Sequence, residues 1–277
     1  MPLLPEFFAG RTPPDLYHEY LSPAFEPWAN ALLESLPPQG LVLDIACGTG
    51  LVSRKVAEDG AVDAIKAIDV APPMISKAEG LGLGRGSKIE YSMASADDLP
   101  FRDGEFECAY CQQGLQFFPD RLAAMKEIRR VLGSGAKAAI STWTFAADGN
   151  PVFDAFEQII AEELGPDLLP FGPFSFGNRW EIEDLASDAG FKVVSLEKES
   201  RLSPLPDVRT FVLFDISFLG RPAADGTLQP ILDFADPAND TIIERLIARV
   251  SDATAPFRQT DGALLAPMTA HVLIAEA

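Results

Sequence analysis

An aspartate sits inside an apolar run that ends in small residues: Leu41-Val42-Leu43-Asp44-Ile45-Ala46-Cys47-Gly48-Thr49-Gly50. The pattern reads as a buried strand, a tight turn and a helix N-terminus, the layout of a nucleotide-type cofactor site. Gly48 and Gly50 permit positive φ and let a ligand lie against bare backbone. The acid narrows the choice of ligand. A dinucleotide would place its pyrophosphate at this turn, where Asp44 repels it. A ligand with an ammonium group and no phosphate is compatible. A second strand, about 64–69, ends in Asp69, a carboxylate at a strand tip that can accept both hydroxyls of a ribose.

These residues resemble the motifs of the class I S-adenosylmethionine (SAM)-dependent methyltransferases. LVLDIACGTG is similar to their first motif, an acid followed by x-Gly-x-Gly-x-Gly, with Ala46 at the first glycine position. SAM carries a sulfonium and an α-amino group and no phosphate, which agrees with the charge argument. Asp69-Val70-Ala71-Pro72-Pro73-Met74 resembles the second motif. By that resemblance Asp69 binds the ribose and Met74 packs on the adenine. Ala94-Ser95-Ala96-Asp97-Asp98-Leu99-Pro100-Phe101 resembles the third. Ser95 stands where the family usually has the acid that contacts the adenine amino group, so that contact falls to Ser95 or Asp97. Cys111-Gln112-Gln113-Gly114-Leu115-Gln116-Phe117-Phe118-Pro119-Asp120 resembles the loop after strand 4 that runs beside the methionine part of SAM. The resemblance thus implies a SAM site made of Asp44, Ala46, Cys47, Gly48, Gly50, Asp69, Val70, Met74, Ser95, Ala96, Asp97, Gln112 and Gln113, with Tyr20 near it and no metal. The product would be S-adenosylhomocysteine.

The elements that must position these residues alternate. Strands are expected at about 41–46, 64–69, 88–93, 106–111 and 136–143, with helices at about 51–59, 73–79 and 121–132 between them. That rhythm predicts an α/β fold with a parallel sheet covered on both faces, whose ligands gather beyond the C-terminal strand edge near Asp44, Asp69 and Gln112. Asp120 caps the helix at 121–132 and Gly133 and Gly135 end it. Residues 15–36 read as a helix interrupted near Pro23 and Pro27. After Trp143, helices are expected at about 152–165, 181–189, 205–219 and 240–254, and strands at 191–199 and 267–275. The resemblance implies a Rossmann-like, seven-stranded, mainly parallel sheet with an antiparallel last strand near 267–276. The whole chain, 1–277, reads as a single domain: a helical lid at about 15–36, a SAM-binding core at about 37–145, and cap segments at about 146–180 and 203–262.

Composition limits the partners. The 277 residues carry a net charge of −19, which repels nucleic-acid backbones and anionic membranes. The densest basic group, Lys126, Arg129 and Arg130, is expected on a solvated helix face. The first residues, MPLLPEFFAGRTPP, do not read as a signal peptide, no run of about 20 apolar residues is seen, and the use of three cysteines leads to the expectation of a reducing cytoplasm. Cys108 and Cys111 form a C-x-x-C within a strand, where residues three apart face opposite ways; neither a metal clamp nor a disulfide is expected.

Methyl transfer from a sulfonium is an in-line displacement, in which placing donor and acceptor about 3 Å apart supplies much of the rate. His18, between Tyr17 and Tyr20, is the candidate general base; His271, on the last strand, reads as structural. Gln116, Phe174 and Trp180 are the candidate substrate contacts. Together with Phe171, Phe176, Phe211, Phe214 and Phe218, the two aromatics suggest a cap over an apolar pocket. Arg179 is expected to pair with Glu183. No Asn/Asp-Pro-Pro-Tyr follows strand 4, which argues against base or amide nitrogen as acceptor. The expectation is transfer to oxygen, a hydroxyl or carboxylate, of a small apolar molecule, with the low histidine count favouring an acceptor that needs no base. Alternatives are methylation of a quinone-like ring carbon, a SAM-binding sensor or partner subunit without turnover, and a nicotinamide oxidoreductase, which Asp44 disfavours. The apolar segment 205–219 is as open to a second copy of the chain as to a substrate.

Overall fold

The computed structural model describes residues 10–58, 62–82, 88–165, 172–222, 228–233 and 236–277. Phe171 lies outside them, as do Gly60 and the side chain of Phe218. Seven strands form one sheet: β1 (Gly40–Ile45), β2 (Val62–Asp69), β3 (Ile89–Met93), β4 (Phe106–Gln112), β5 (Leu132–Trp143), β6 (Lys192–Asp207) and β9 (Ala263–Glu276). Their order is β3-β2-β1-β4-β5-β9-β6. β1 to β5 run parallel, and β9 is antiparallel to β5 with Thr142 opposite His271. The remaining strands, β7 (Gly220–Pro222) and β8 (Leu228–Pro230), form a separate antiparallel pair.

The chain divides into two compact units. One comprises Met1–Ala24, Ala146–Gly172 and Leu202–Met268; the other comprises Phe25–Phe145, Pro173–Arg201 and Thr269–Ala277 and holds the core of the sheet. Residues 25–36 and 173–180, expected in the lid and cap, belong to the sheet unit. Within that unit, Val42, Leu43, Ile65, Ile68, Cys108, Ala109, Cys111 and Ile140 are fully buried. Continuous apolar strands are what a sheet covered on both faces requires.

Among the helices, α1 (Pro13–Leu16) passes through a π-turn, Tyr17–Leu21, into α2 (Ser22–Ser35). Pro27 lies inside α2 without breaking it, so the expected interruption at the prolines is replaced by the π-turn that precedes Pro23. There the N–H of Ser22 bonds the carbonyl of Tyr17, shifting the register just before a residue that has no N–H to give. α3 (Leu51–Glu58), α4 (Pro72–Gly80) and α5 (Arg121–Val131) connect the parallel strands. Asp120 caps α5 by accepting from the N–H of Ala123 at 2.9 Å. Gly133 and Gly135 do not end this helix: β5 starts at Leu132 and takes both glycines in. β6 extends to Asp207, eight residues past the expected Glu199; its exposed alternate positions and two prolines hid it from a reading based on apolar runs.

The first unit also contains α6 (Pro151–Leu164), α8 (Val208–Phe218) and α9 (Asp240–Ala253). Phe153 and Phe156 of α6 pack edge-on to Phe211 of α8, with ring centres 5.2 and 5.4 Å away, and Tyr20 packs on Phe214. Ion pairs from Arg245 and Arg249 to Glu163 tie α9 to α6, and Arg209–Glu244 ties α8 to α9. Phe211 and Phe214 are therefore interior packing of this unit.

Candidate functional site

The turn after β1 is built by an unusual run of backbone conformations. Ala46, Gly48 and Gly50 have φ of 55°, 55° and 80°. Ala46 adopts the left-handed conformation that the first glycine of such a turn would take freely, which costs an alanine roughly 1–2 kcal/mol. The turn is pinned to the sheet: Cys47 N–H donates to the carbonyl of Ile68 at 2.9 Å, and Gly50 N–H to that of Cys47 at 2.8 Å. A side chain on Gly50 would run into the hydroxyl of Tyr91 on β3. Gly114 approaches from the loop after β4 so closely that a Cβ there would lie 2.7 Å from that of Ala46.

The two acids divide the work. Asp44 is buried behind the turn, where its Oδ2 accepts from the N–H and the hydroxyl of Ser53 in α3. Burial pushes its carboxyl up to about 7, the Ser53 hydrogen bonds oppose that, and the nearby Asp69 adds to it. Asp69, at the tip of β2, accepts from the N–H of Gly48 at 2.8 Å on one oxygen and from Ala71 at 2.9 Å on the other. Each carboxylate oxygen has a second lone pair, so these bonds orient Asp69 and leave it able to accept from a diol. Beside it Val70 is 69% exposed, and Met93, at the tip of β3, is 64% exposed. An apolar surface next to a carboxylate suits an adenosine; Met74 is half-buried on α4.

The third segment folds back on itself. Ser95 Oγ donates to Asp97 Oδ1, so the hydroxyl expected to face the adenine is already engaged, while Asp97 stays exposed and Ala96 is buried. The segment is held from below by Arg130. Its guanidinium donates to the carbonyls of Leu99 (2.9 Å) and Phe101 (2.8 Å) and to Asp103 and Glu127; Glu127 in turn accepts from the N–H of Leu99. Arg129 donates to the carbonyl of Gly190. Lys126 and Arg129 are exposed, as expected of a solvated face, but Arg129 and Arg130 also clamp backbone carbonyls, which a reading that weighs charge and not the loops a long side chain reaches does not see.

At the end of β4 the glutamines separate. Gln112 donates its amide nitrogen to the carbonyl of Phe25 at 2.7 Å, fastening the strand tip to α2. Gln113 has φ of 45°, a strained value for a residue with a side chain, and is fixed by its N–H to the carbonyl of Ser141. Its amide is buried, with neither atom hydrogen-bonded among the described residues. Gln116, in the 3₁₀ turn Leu115–Phe117, is in the same state. Arg121, which the sequence reading passed over, holds that turn. Its Nη2 donates to the carbonyl of Gln116 at 2.7 Å, its Nε to that of Leu115 at 3.3 Å, and its guanidinium lies 4.4 Å from the ring centre of Phe176.

The remaining candidates are held by other contacts. Phe174 is buried and packs on Trp143, with ring centres 6.1 Å apart. Trp180 is 69% exposed on the first turn of α7 (Arg179–Asp188). Arg179 does not meet Glu183; it donates to the carbonyl of Leu196 at 2.6 Å. His18 and Tyr20 belong to the first unit, where the His18 ring faces Ser22 Oγ at 3.4 Å and the Tyr20 hydroxyl accepts from Arg11 at 2.9 Å. His271 is buried with Nε2 3.0 Å from the carbonyl of Gly177. Cys47, Cys108 and Cys111 are unpaired and buried, and burial pushes the Cys111 thiol up to about 12. Among the described residues no three His, Cys, Asp or Glu are grouped to hold a metal, and no helix is long and apolar enough to cross a membrane.

Comparison with known proteins places this geometry. Residues 43–140 match the methyltransferase domain family. An O-methyltransferase, resE, of Aspergillus sclerotiorum is 31% identical over 55% of this chain and 55% of its own length. A ubiquinone biosynthesis O-methyltransferase of Xanthomonas oryzae pv. oryzae is 35% identical over 53% of this chain and 59% of its own. The chain thus spans little more than half the length of these relatives. The solved structure of the YcgJ protein from Bacillus subtilis superimposes with a TM-score of 0.58 over 90% of this chain and 97% of that one, at 16% identity, a likeness of fold. Strand order, the turn between β1 and α3, and the family match agree that residues 43–140 carry a methyltransferase domain with the class I fold.

Proposed function

We propose that the chain transfers the methyl group of SAM to an oxygen, hydroxyl or carboxylate, of a small and fairly apolar acceptor. The observation that carries the reading is the Ala46–Gly50 turn joined to the Asp69 carboxylate, beside the exposed Val70 and Met93. When bound, SAM supplies an electrophilic methyl on a sulfonium. Asp69 would accept from the ribose hydroxyls, and Val70, Met74 and Ala96 would line the adenine, with Ser95 or Asp97 at its amino group. Asp44, Ala46, Cys47, Gly48 and Gly50 would form the floor. Gln113, with Gln112 and Tyr20, would meet the amino-acid end, and the unpaired Gln113 amide is the group most in need of such a partner. Gln116 would face the acceptor, and His18 is the residue proposed to take its proton. The names of the two relatives support oxygen as the atom methylated. The net charge of −19 supports a small-molecule partner over a nucleic acid, and three unpaired cysteines suit a reducing cytoplasm.

Calorimetric titration with SAM and S-adenosylhomocysteine tests the cofactor. Micromolar binding of both is the expected result. Retention of NAD instead of SAM on equilibrium dialysis would overturn the reading.

A further inference from the structure

Besides Gln113, two side chains near the end of β4 and β5 are buried beyond nine-tenths and have no hydrogen-bond partner among the described residues at three atoms: Gln116 Nε2 and Oε1, and Thr142 Oγ1. The 3₁₀ turn that carries Gln116 packs against β5, which carries Thr142 one residue before its end. The turn is held rigidly, since Arg121 binds two of its carbonyls and stacks on Phe176. A buried amide or hydroxyl left unpaired is destabilising, so each such group in a native protein calls for an explanation, a ligand's polar atoms being one. We infer that Gln116 and Thr142 form the acceptor subsite, that Arg121 is its positioning residue, and that the subsite selects a neutral acceptor carrying a hydroxyl over a carboxylate. The inference rests on the proposed methyl transfer for its chemistry.

The selection follows from the groups present. An amide offers a donor and an acceptor side by side, and the threonine hydroxyl can do either. A hydroxyl with a neighbouring carbonyl or ether oxygen satisfies both ends. A carboxylate could use the Gln116 N–H but would face the lone pairs of Oε1. Arg121, which holds the turn, is committed to backbone carbonyls and the Phe176 ring instead of facing outward as a carboxylate partner. Apolar replacement of an unpaired buried group removes a penalty instead of a bond.

Three measurements on Gln116→Leu and Thr142→Val test this. Without ligands, both variants should melt above wild type; a lower Tm would show that these groups are satisfied inside the folded chain, and would overturn the subsite. SAM affinity by calorimetry should stay within about twofold, since the cofactor contacts are elsewhere; a tenfold loss would move Gln116 to the cofactor and overturn the assignment. Transfer of labelled methyl to 2-hydroxyacetophenone and to salicylate is then compared. Transfer to the neutral phenol that falls at least tenfold in kcat/KM in either variant is the expected result. A preference for salicylate esterification, or no effect of the substitutions on an active acceptor, would overturn it. Should wild type bind no SAM, the methyl-transfer reading fails, while the melting result still decides whether Gln116 and Thr142 await a ligand.

Discussion

At the scale of the residue, Asp69 joins the fold to the site. Its two oxygens orient the Gly48 and Ala71 N–H groups, and its remaining lone pairs are those proposed for the ribose. Asp69→Ala should weaken SAM binding roughly 10- to 100-fold, the loss of two charge-assisted hydrogen bonds partly offset by water. Because the same substitution frees two backbone donors, Tm should fall as well. Asp69→Asn, which keeps one acceptor oxygen, should recover part of the Tm and little of the affinity; calorimetry and a melting curve on the two variants separate the roles. Unchanged affinity in Asp69→Ala would remove Asp69 from the site. Of the residues that could be read from the sequence, Asp44, Asp69 and the turn glycines were legible because strand, turn and acid follow one another along the chain. Gln116 was legible only as a polar residue in a loop; that it is buried and unpaired depends on what surrounds it. The left-handed Ala46 was half-legible, as an alanine in a glycine's place. Arg121 gave no signal, since its partners are backbone carbonyls and any residue supplies one.

At the scale of the element, the site is a set of strand ends and loops fixed from outside by long side chains. The clearest case is the segment after β3. Arg130 reaches from the last turn of α5 to two carbonyls and two carboxylates, and Glu127 beside it takes the Leu99 N–H. These hydrogen bonds draw the Glu127 carboxyl below its usual range and the Arg130 guanidinium upward. Arg130→Ala leaves the Leu99 and Phe101 carbonyls without a donor and should cost about 1–3 kcal/mol, mostly through those backbone groups and less through the partly exposed ion pairs. Since the loop carries Ser95, Ala96 and Asp97, SAM affinity should fall severalfold with it. Arg130→Lys, which keeps the charge and loses the fork, should behave like alanine if the clamp works through geometry and like wild type if charge alone matters. Chemical denaturation and calorimetry on the pair distinguish these. The parallel strands and their helices were legible from apolar periodicity. The far half of β6 was not, because its residues alternate at exposed positions and include Pro204 and Pro206. The entry into β5 was missed because α5 gives way to the strand at Leu132 with no intervening turn.

At the scale of the whole molecule, an acidic chain with buried acids should be sensitive to pH in a definite direction. Burial pushes Asp44 up to about 7 and Asp215 of α8 up to about 8, and burial with the neighbouring Asp154 pushes Glu157 up to about 7. A carboxyl that is raised in the folded state binds more protons there than in the unfolded chain, so it lowers stability as pH rises from its ordinary value to its folded one. These three groups act between about pH 4 and 8. Glu105 is drawn down chiefly by the backbone N–H of Arg102, and Glu127, Glu163 and Glu244 by arginine side chains; their contribution is present above the ordinary glutamate value and is lost as pH falls below it. Tm should therefore pass through a maximum near about pH 5 and decline toward pH 8, the high-pH side reinforced by repulsion within a chain of net charge −19. Asp215 is the cleanest probe, because its buried Oδ2 has no partner among the described residues whose loss would confuse the result. Asp215→Asn keeps the shape and removes the ionisation. Its Tm advantage over wild type should widen between pH 5 and pH 8 by at least about 2 °C, the shift that roughly 1 kcal/mol makes in a chain of this size. Melting curves that stay parallel across that interval would mean that Asp215 ionises as it does in water, and the decline would then have to come from Asp44, Glu157 and the surface charge.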